Sequence, residues 1–433
     1  MHRLGHDLHG GGDGPVDPRA GGAGAVLGLP GLIRLTGAGQ PGGAIFRWHD
    51  AARLIDGAGR AFGPAGPCEG GVLADADAVA ALRSAIGSPA FRIGATGAPS
   101  PRADRVPAGA PVLETLSGGT SGTPRRILRT QASWIASFDV NARLFGIGPG
   151  ARVAVLGRLV HSLALYAAIE ALHLGAEAHL LDRLRPDRQA EALALRDITH
   201  LYATPAQLRS LPATARPCPG LRHLIVGGAQ LDPALKDRMA LLFPSAVQRE
   251  FYGASETSFL TVTDADTPRG SVGAAYPGVE IALDPDGAIW ARSPYLALGY
   301  AGEPGGARWR DGWVCAGETG RMDGGYLFLS GRIGRAIRVA EQTLHPEEME
   351  TFLLSRPGVE EAAVLPRPDA ARGLVLVAVI RGDPTAEAAL LVDLRAAFGP
   401  MLSPRTIRWW QADWPQLPSG KTDLQAIERE LRW

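Results

Sequence analysis

The chain has 433 residues, 45% hydrophobic and 20% charged, with 44 basic and 44 acidic side chains and a pI near 7.2. This composition excludes a disordered or fibrous chain. The charge balance argues against a nucleic-acid-binding protein, whose footprint is a net positive charge or a basic stripe, and favours small-molecule chemistry. Only Lys236 and Lys421 are lysines; every other basic residue is an arginine.

In chain order, residues 1–24 lack the apolar run of a secretory signal and read as a Gly-, His- and Asp-rich tail. Gly and Pro make 90 of the 433 residues and crowd the first 125 positions, where only the apolar pieces 44–48 and 79–86 stand out, so this part reads as loop-rich. The most apolar long stretch, 159–181, contains His161, Glu170, His173, Glu177 and His179, and no membrane span is expected. From 151 the pattern sharpens: strands are predicted at 151–157, 177–182, 198–203, 221–227 and 246–251, with helices between them at 162–174, 187–196, 205–211 and 232–242. Strands alternating with helices predict a parallel sheet with crossover helices. Asp232 before Pro233 reads as an N-cap and first-turn proline, with Leu235, Met239 and Leu242 at helical spacing.

Beyond 270, short β pieces separated by Pro277-Gly278, Asp284-Pro285-Asp286-Gly287 and Asp323-Gly324-Gly325 predict a small antiparallel sheet or barrel. Near 331 the pattern changes again, to strand 336–340, a helix opened by Pro346 with Glu347 and Glu348 in its first turn, strands near 361–366 and 374–381, helix 385–398, strand 406–410 and a last helix from 423. The expected fold class is α/β: a large N-terminal domain, residues 1–331, with a parallel α/β sheet and a small β-barrel-like part, then a small α+β C-terminal domain, residues 332–433. Cys68, Cys218 and Cys315 are odd in number, far apart and form no CxxC pair, so neither a disulfide framework nor a structural zinc site is indicated, and a reducing cytoplasm fits.

The chemistry concentrates first in Leu116-Ser117-Gly118-Gly119-Thr120-Ser121-Gly122-Thr123-Pro124-Arg125-Arg126. Glycines let backbone N–H groups turn inward, hydroxyls add donors and the arginines add charge, which suits either a polyphosphate cradle or a plain Ser/Gly surface turn. It is not a Walker loop, because no Gly-Lys-Ser/Thr follows; Gly420-Lys421-Thr422 fails as well, with Pro415 where the upstream glycine belongs. Then come His161 at a strand-to-helix turn, Gly227-Gly228-Ala229, Tyr252-Gly253-Ala254-Ser255-Glu256, Gly299-Tyr300, Gly312-Trp313, Gly317-Glu318, Gly331-Arg332 and Pro418-Ser419-Gly420-Lys421. Singly, Tyr252 suits a core aromatic, Glu256 a solvated helix start, His161 a satisfied core histidine and Lys421 a surface lysine.

Taken in order, this series resembles the core motifs of the adenylate-forming superfamily, the acyl- and aryl-CoA synthetases, luciferases and adenylation domains. The resemblance implies activation of a carboxylic acid by ATP and Mg²⁺ to an acyl-AMP and pyrophosphate, then thioester formation with CoA or the phosphopantetheine of an acyl carrier protein. It implies that Thr120, Ser121, Gly122, Thr123 and Arg125 bind phosphates, Gly227 and Gly228 approach adenine, and Tyr252 and Gly253 cover it. Ser255 would contact the α-phosphate, Glu256 hold Mg²⁺, and Glu318 and Arg332 grip the ribose. Lys421 resembles the catalytic lysine, a compact point charge on carboxylate and α-phosphate, and His161 borders the acid pocket. The C-terminal domain would be a mobile lid pivoting at Gly334, where the family usually has an acidic residue.

Other departures are Arg125 for lysine, Glu318 for aspartate, and Ala340-Glu341-Gln342 where many CoA ligases have a Gly-Gly segment lining the thiol tunnel. Residues 160–166 lack the aspartate that pairs with an α-amino group, which disfavours an amino acid. His161, Leu165, Tyr166, Ser258 and Phe259 suggest a mostly apolar pocket for an aryl or medium-chain acid.

Overall fold

Five strands, four of them almost wholly buried, organise the molecule around one large sheet. The structure, a computed structural model, describes residues 43–66, 70–94, 109–117, 125–302, 305–339, 342–369, 373–417 and 421–431, all in the unit Pro41–Trp433; Met1–Gln40 is a separate unit outside the described residues. The strands predicted from 151 onward are present as Arg152–Val155, Glu177–Leu180, His200–Ala203, His223–Val226 and Val247–Ala254, all pairing in parallel. Helices Ser162–Leu174, Pro186–Leu195, Pro205–Ser210 and Pro233–Leu242 cross between them.

Side chains of a strand alternate between faces, and here each face has its own core. Val153, Val155, Tyr202 and Ile225 join one apolar cluster, while Ala154, Leu201, Ala203, Leu224 and Val226 join the other. A sheet covered on both sides needs such continuous apolar runs. The helix starts are fixed locally: the Asp232 carboxylate accepts from the Leu235 N–H at 2.8 Å, and Thr204 and Gln207 form a reciprocal capping box ahead of Pro205.

Arg53–Ile55 and Ala61–Phe62 extend this sheet on one side, and Ser258–Val262, Ala274–Ala275, Tyr326–Arg332 and Glu318–Asp323 extend it on the other. A four-stranded antiparallel sheet is built from Glu280–Leu283, Ile289–Arg292, Trp313–Cys315 and Arg308–Arg310, among the short pieces expected after 270. The part that reads as loop-rich holds a further sheet, ordered Gly299–Tyr300, Arg125–Thr130, Val112–Ser117, Ala90–Gly94 and Gly71–Ala74, with helix Ala78–Ala85 beside it and helix Gln131–Phe145 after it. Its strands are hidden in the sequence because they bury charge: Arg92 and Glu114 pair at 2.5 Å, 2% and 0% exposed, which interrupts the apolar pattern.

After residue 336, Val359–Asp369 and Gly373–Gly382 pair antiparallel and Thr406–Trp409 joins in parallel, with helices Pro346–Leu354, Glu387–Leu402 and Leu424–Leu431 packed alongside. Met349, Val364, Ala378 and Leu394 form one apolar cluster of this part, and Ala363, Val379, Trp414 and Ile427 another. No helix among the described residues is long and apolar enough to cross a membrane.

Candidate active site

Ligands of open parallel sheets bind beyond the carboxyl ends of the strands, and a cavity of about 470 Å³ lies there, bordered by Gly157, His161, Thr204, Gly228, Ser255 and Lys421. Gly227 and Gly228 follow strand His223–Val226 directly. A Cβ on Gly227 would lie 2.2 Å from the Phe251 ring, and Gly228 has φ +91°, so both positions require glycine. Helix Ser162–Leu174 begins at His161, whose backbone bridges to Leu116 near the end of strand Val112–Ser117. Ser162 Oγ donates to Ser255 Oγ at 3.1 Å.

The apolar wall contains Trp134, Tyr166, Phe251 and Phe259, with Ser258 beside them, whereas Leu165 is buried in the core and does not border the cavity. Beneath that wall is a polar network. Tyr202 donates to Glu170 Oε2 at 2.6 Å, Asn141 Nδ2 and Tyr166 donate to Oε1 at 2.7 and 3.1 Å, and Tyr276 donates to Asn141 Oδ1 at 2.6 Å. Burial raises the Glu170 pKa to about 7, the three donors pulling it down. The tyrosine hydroxyls are thus held toward Glu170. No single motif contains this network, because its members are spread across helices 131–145 and 162–174, strand His200–Ala203 and Tyr276, just after strand Ala274–Ala275.

On the opposite side, the Tyr300 hydroxyl donates to Glu256 Oε1 at 2.7 Å, and the Ala297 N–H donates to the Glu256 carbonyl at 2.8 Å. Burial and the Glu256 charge push the Tyr300 phenol up, so it stays a donor. Arg332 Nη2 donates to Glu318 Oε1 at 3.0 Å across paired strands. Burial raises the Glu318 pKa, opposed by Arg332; burial likewise raises that of Tyr252, with Glu318 adding to it. Lys421 lines the cavity, where water reaches its side chain while protein surrounds it. This crowding and the Arg332 charge lower its pKa, and Glu318 and Glu256 oppose them.

Ser117 and Arg125 are register partners of adjacent strands and flank the segment 118–124; Thr120, Ser121, Gly122 and Thr123 of that segment lie outside the described residues. Pro418, Ser419 and Gly420 also lie outside them, as do Ala340, Glu341 and Cys68. Gly253 belongs to strand Val247–Ala254, where a Cβ would lie 1.8 Å from the Ser258 carbonyl oxygen. The Glu256 carboxylate is a hard oxygen donor of the kind Mg²⁺ takes, and no group of three or more His, Cys, Asp or Glu suited to a metal occurs among the described residues.

With this geometry in place, comparison with known proteins is decisive. The AMP-binding enzyme model matches residues 69–301, more than half of the chain, and the AMP-binding enzyme C-terminal domain matches 348–421. The chain belongs to the AMP-binding enzyme family. The adenylate-forming resemblance of the motifs is therefore borne out. Among its relatives, an uncharacterised acyl–CoA ligase, YhfT of Bacillus subtilis (strain 168), is 29% identical over 74% of this chain and 69% of its own. A 3-hydroxybenzoate–CoA ligase of Aromatoleum sp. (strain CIB) is 28% identical over 73% of this chain and 65% of its own. The solved structure of O-succinylbenzoate coenzyme A synthetase from Bacillus subtilis, in complex with ATP and magnesium ion, aligns with TM-score 0.64 and 21% identity over 78% of this chain and 73% of that one. In this AMP-binding enzyme His161, Gly228, Gly253, Ser255 and Lys421 line one cavity, Arg125, Gly227, Tyr252, Glu256, Glu318 and Arg332 are not among its lining residues, and the hinge candidate Gly334 lies in a 3₁₀ turn after Arg332.

Proposed function

We propose that this AMP-binding enzyme is an acid–CoA ligase that activates an aryl or medium-chain carboxylic acid with ATP and Mg²⁺ to acyl-AMP and pyrophosphate, then forms the CoA thioester. A carrier-protein phosphopantetheine is the finer alternative for the acceptor. The observation that carries the reading is the position of Lys421: one of two lysines in the chain, it lines the same cavity as His161, Gly228 and Ser255, within electrostatic reach of Glu256, Glu318 and Arg332.

Little covalent work falls to the protein. The acid carboxylate attacks the α-phosphorus and pyrophosphate leaves, so catalysis consists of alignment and of fixed charge where charge develops. Ser255 supplies a hydroxyl, Glu256 the oxygen for Mg²⁺, and Lys421 the ammonium between carboxylate and phosphate; bound Mg²⁺ neutralises phosphate charge. Glu318 and Arg332 hold each other in place for the ribose diol, and Thr120, Ser121, Gly122, Thr123 and Arg125 take the outer phosphates. Trp134, Tyr166 and Phe259 form the wall for the apolar part of the acid.

The reading divides the enzyme at 331/332 into a nucleotide- and acid-binding domain and a lid carrying Lys421, with Gly334 as pivot. Gly334 is exposed, and no atom lies within 4 Å of where its Cβ would be. The next residue, Arg335, is tied to Glu350 of helix Pro346–Leu354 by hydrogen bonds of 3.0 and 2.7 Å, so it would travel with the lid. Cys218 and Cys315 are free and buried, which fits a reducing cytoplasm.

The test is mass spectrometry of products after incubation with MgATP, CoA and a panel of benzoates, cinnamates and fatty acids. Acyl-CoA and AMP are expected for at least one acid. Acyl-AMP without acyl-CoA would move the reading to another acceptor, and formation of neither would contradict it.

A further inference from the structure

Arg129 is a fully buried cation at the edge of the cavity, 1% exposed, on strand Arg125–Thr130. Arg92 in the same sheet has the Glu114 carboxylate at 2.5 Å, but Arg129 has no carboxylate within ion-pair distance among the described residues. Neutral groups hold it instead. Nη1 donates to the Ser258 hydroxyl at 2.6 Å, the Tyr295 carbonyl at 3.3 Å and the Ser133 hydroxyl at 3.5 Å; Nη2 donates to the Ser255 carbonyl at 2.5 Å. The guanidinium lies 5.3 Å from the centre of the Trp134 ring, and Nε has no hydrogen-bond partner. Burial lowers its pKa to about 10, with Glu256 opposing, so the charge persists at neutral pH. A buried cation without a counter-charge costs more than an apolar side chain of similar volume would. Packing alone does not account for arginine here.

Its two closest acceptors are the two ends of one turn. Ser258 adopts φ +58°, a left-handed conformation disfavoured for residues with a Cβ. The Ser258 carbonyl also presses against Gly253, where a Cβ would lie 1.8 Å away. A turn in this conformation persists when surrounding contacts over-determine it. The planar fork of Arg129 bonds Ser255 and Ser258 at once, which the point charge of a lysine does not reproduce. Between those ends sits Glu256, and the Ser255 hydroxyl faces Ser162 and the cavity.

We propose that Arg129 is a positioning residue for nucleotide activation: its fork holds the Ser255–Ser258 turn so that the Ser255 hydroxyl and the Glu256 carboxylate meet the α-phosphate and its Mg²⁺ together. The inference rests on the cavity being an MgATP site. Arg129→Met and Arg129→Lys are to be compared with the parent protein by calorimetric titration of MgATP at several Mg²⁺ concentrations and by acid-dependent pyrophosphate exchange, with circular dichroism reporting folding. Arg129→Met is expected to stay folded, bind MgATP at least about tenfold more weakly, require more Mg²⁺ for half-saturation, and lose exchange on the order of a hundredfold.

Arg129→Lys should recover only a small part. Adding Ser258→Gly, which adopts this φ without strain, should restore part of the Mg²⁺ response in the Arg129→Met background. Parental MgATP affinity and Mg²⁺ half-saturation in folded Arg129→Met, or full recovery by lysine, would overturn the proposal. Where Arg129→Met does not fold, Arg129→Lys and the double variant decide in the same terms. MgATP binding is read without acid, so a parent protein that binds MgATP but exchanges with no acid loses the ligase reading and not this one; a parent that binds no MgATP overturns both.

Discussion

The two lysines of this arginine-rich chain have different physical accounts. Lys236 Nζ pairs with Glu250 Oε1 at 2.5 Å, on a carboxylate that also accepts from the Leu231 N–H at 2.7 Å. It joins helix Pro233–Leu242 to the middle of strand Val247–Ala254, a role that its exposed-helix sequence context does not announce. Lys421 lines the cavity. Crowding and Arg332 lower its pKa, so it loses its proton at a lower pH than an ordinary lysine, and the charge proposed to act on the phosphate is lost with it. The kcat/KM of exchange is therefore expected to fall on the alkaline side from below the ordinary lysine range. Lys421→Arg, whose guanidinium stays charged, should abolish that limb while retaining about a hundredth of the rate or less. An alkaline limb unchanged in Lys421→Arg would assign the ionisation to another group. Ser255, Glu256, Glu318, Arg332 and Lys421 stand out as candidates in the sequence because each sits in one of the short motifs that carry the family resemblance. Arg129 was not, since a buried arginine in a strand resembles an error in the apolar pattern until its turn partners are known.

Among elements, helix Ser162–Leu174 was legible to the residue: it is mostly apolar, starts just after His161 and stops at Gly175 with φ +92°. What it carries was not. Glu170 appears in the sequence only as a charge that disqualifies a membrane span, whereas in the fold it anchors Tyr166, Tyr202 and Asn141 beneath the pocket wall. Its native pKa is raised by burial from 4.5 to about 7. The native state thus favours the protonated acid, and the stabilisation present below pH 4.5 is lost as pH rises through 7, by about 3 kcal/mol for a shift of this size. Glu170→Gln should therefore lose less unfolding free energy than the parent between pH 5 and pH 8 by about that amount, measured by denaturant titration; parallel pH profiles would contradict it. The sheet containing Arg125–Thr130 and helix Gln131–Phe145 escaped the sequence for a related reason: paired charges and polar positions such as Ser137 and Asn141 are buried and satisfied by a distant partner, Tyr166.

At the scale of the whole molecule, the alternating strands and helices from 151 and the α+β part after 336 were predictable because each segment satisfies a local period and each strand end has a turn residue. How the parts meet was not, because it depends on contacts between segments distant in sequence. Gly331 shows this: a Cβ there would lie 2.6 Å from Glu347 Oε2 and 2.8 Å from the His345 Cβ, so strand Tyr326–Arg332 and helix Pro346–Leu354 meet where only glycine fits. The next residue, Arg332, bonds Glu318 at 3.0 Å across the paired strands. The account as a whole stands on one chemical event, reversible transfer of an adenylyl group from ATP to a carboxylate. Exchange of labelled pyrophosphate into ATP over the panel of aryl and fatty acids reads that event directly, before any thiol acceptor is involved. It should be acid-dependent in the parent protein and reduced on the order of a hundredfold or more in Lys421→Ala with ATP binding retained; exchange that ignores the acid, that is absent for every acid despite bound ATP, or that survives loss of Lys421 would contradict it.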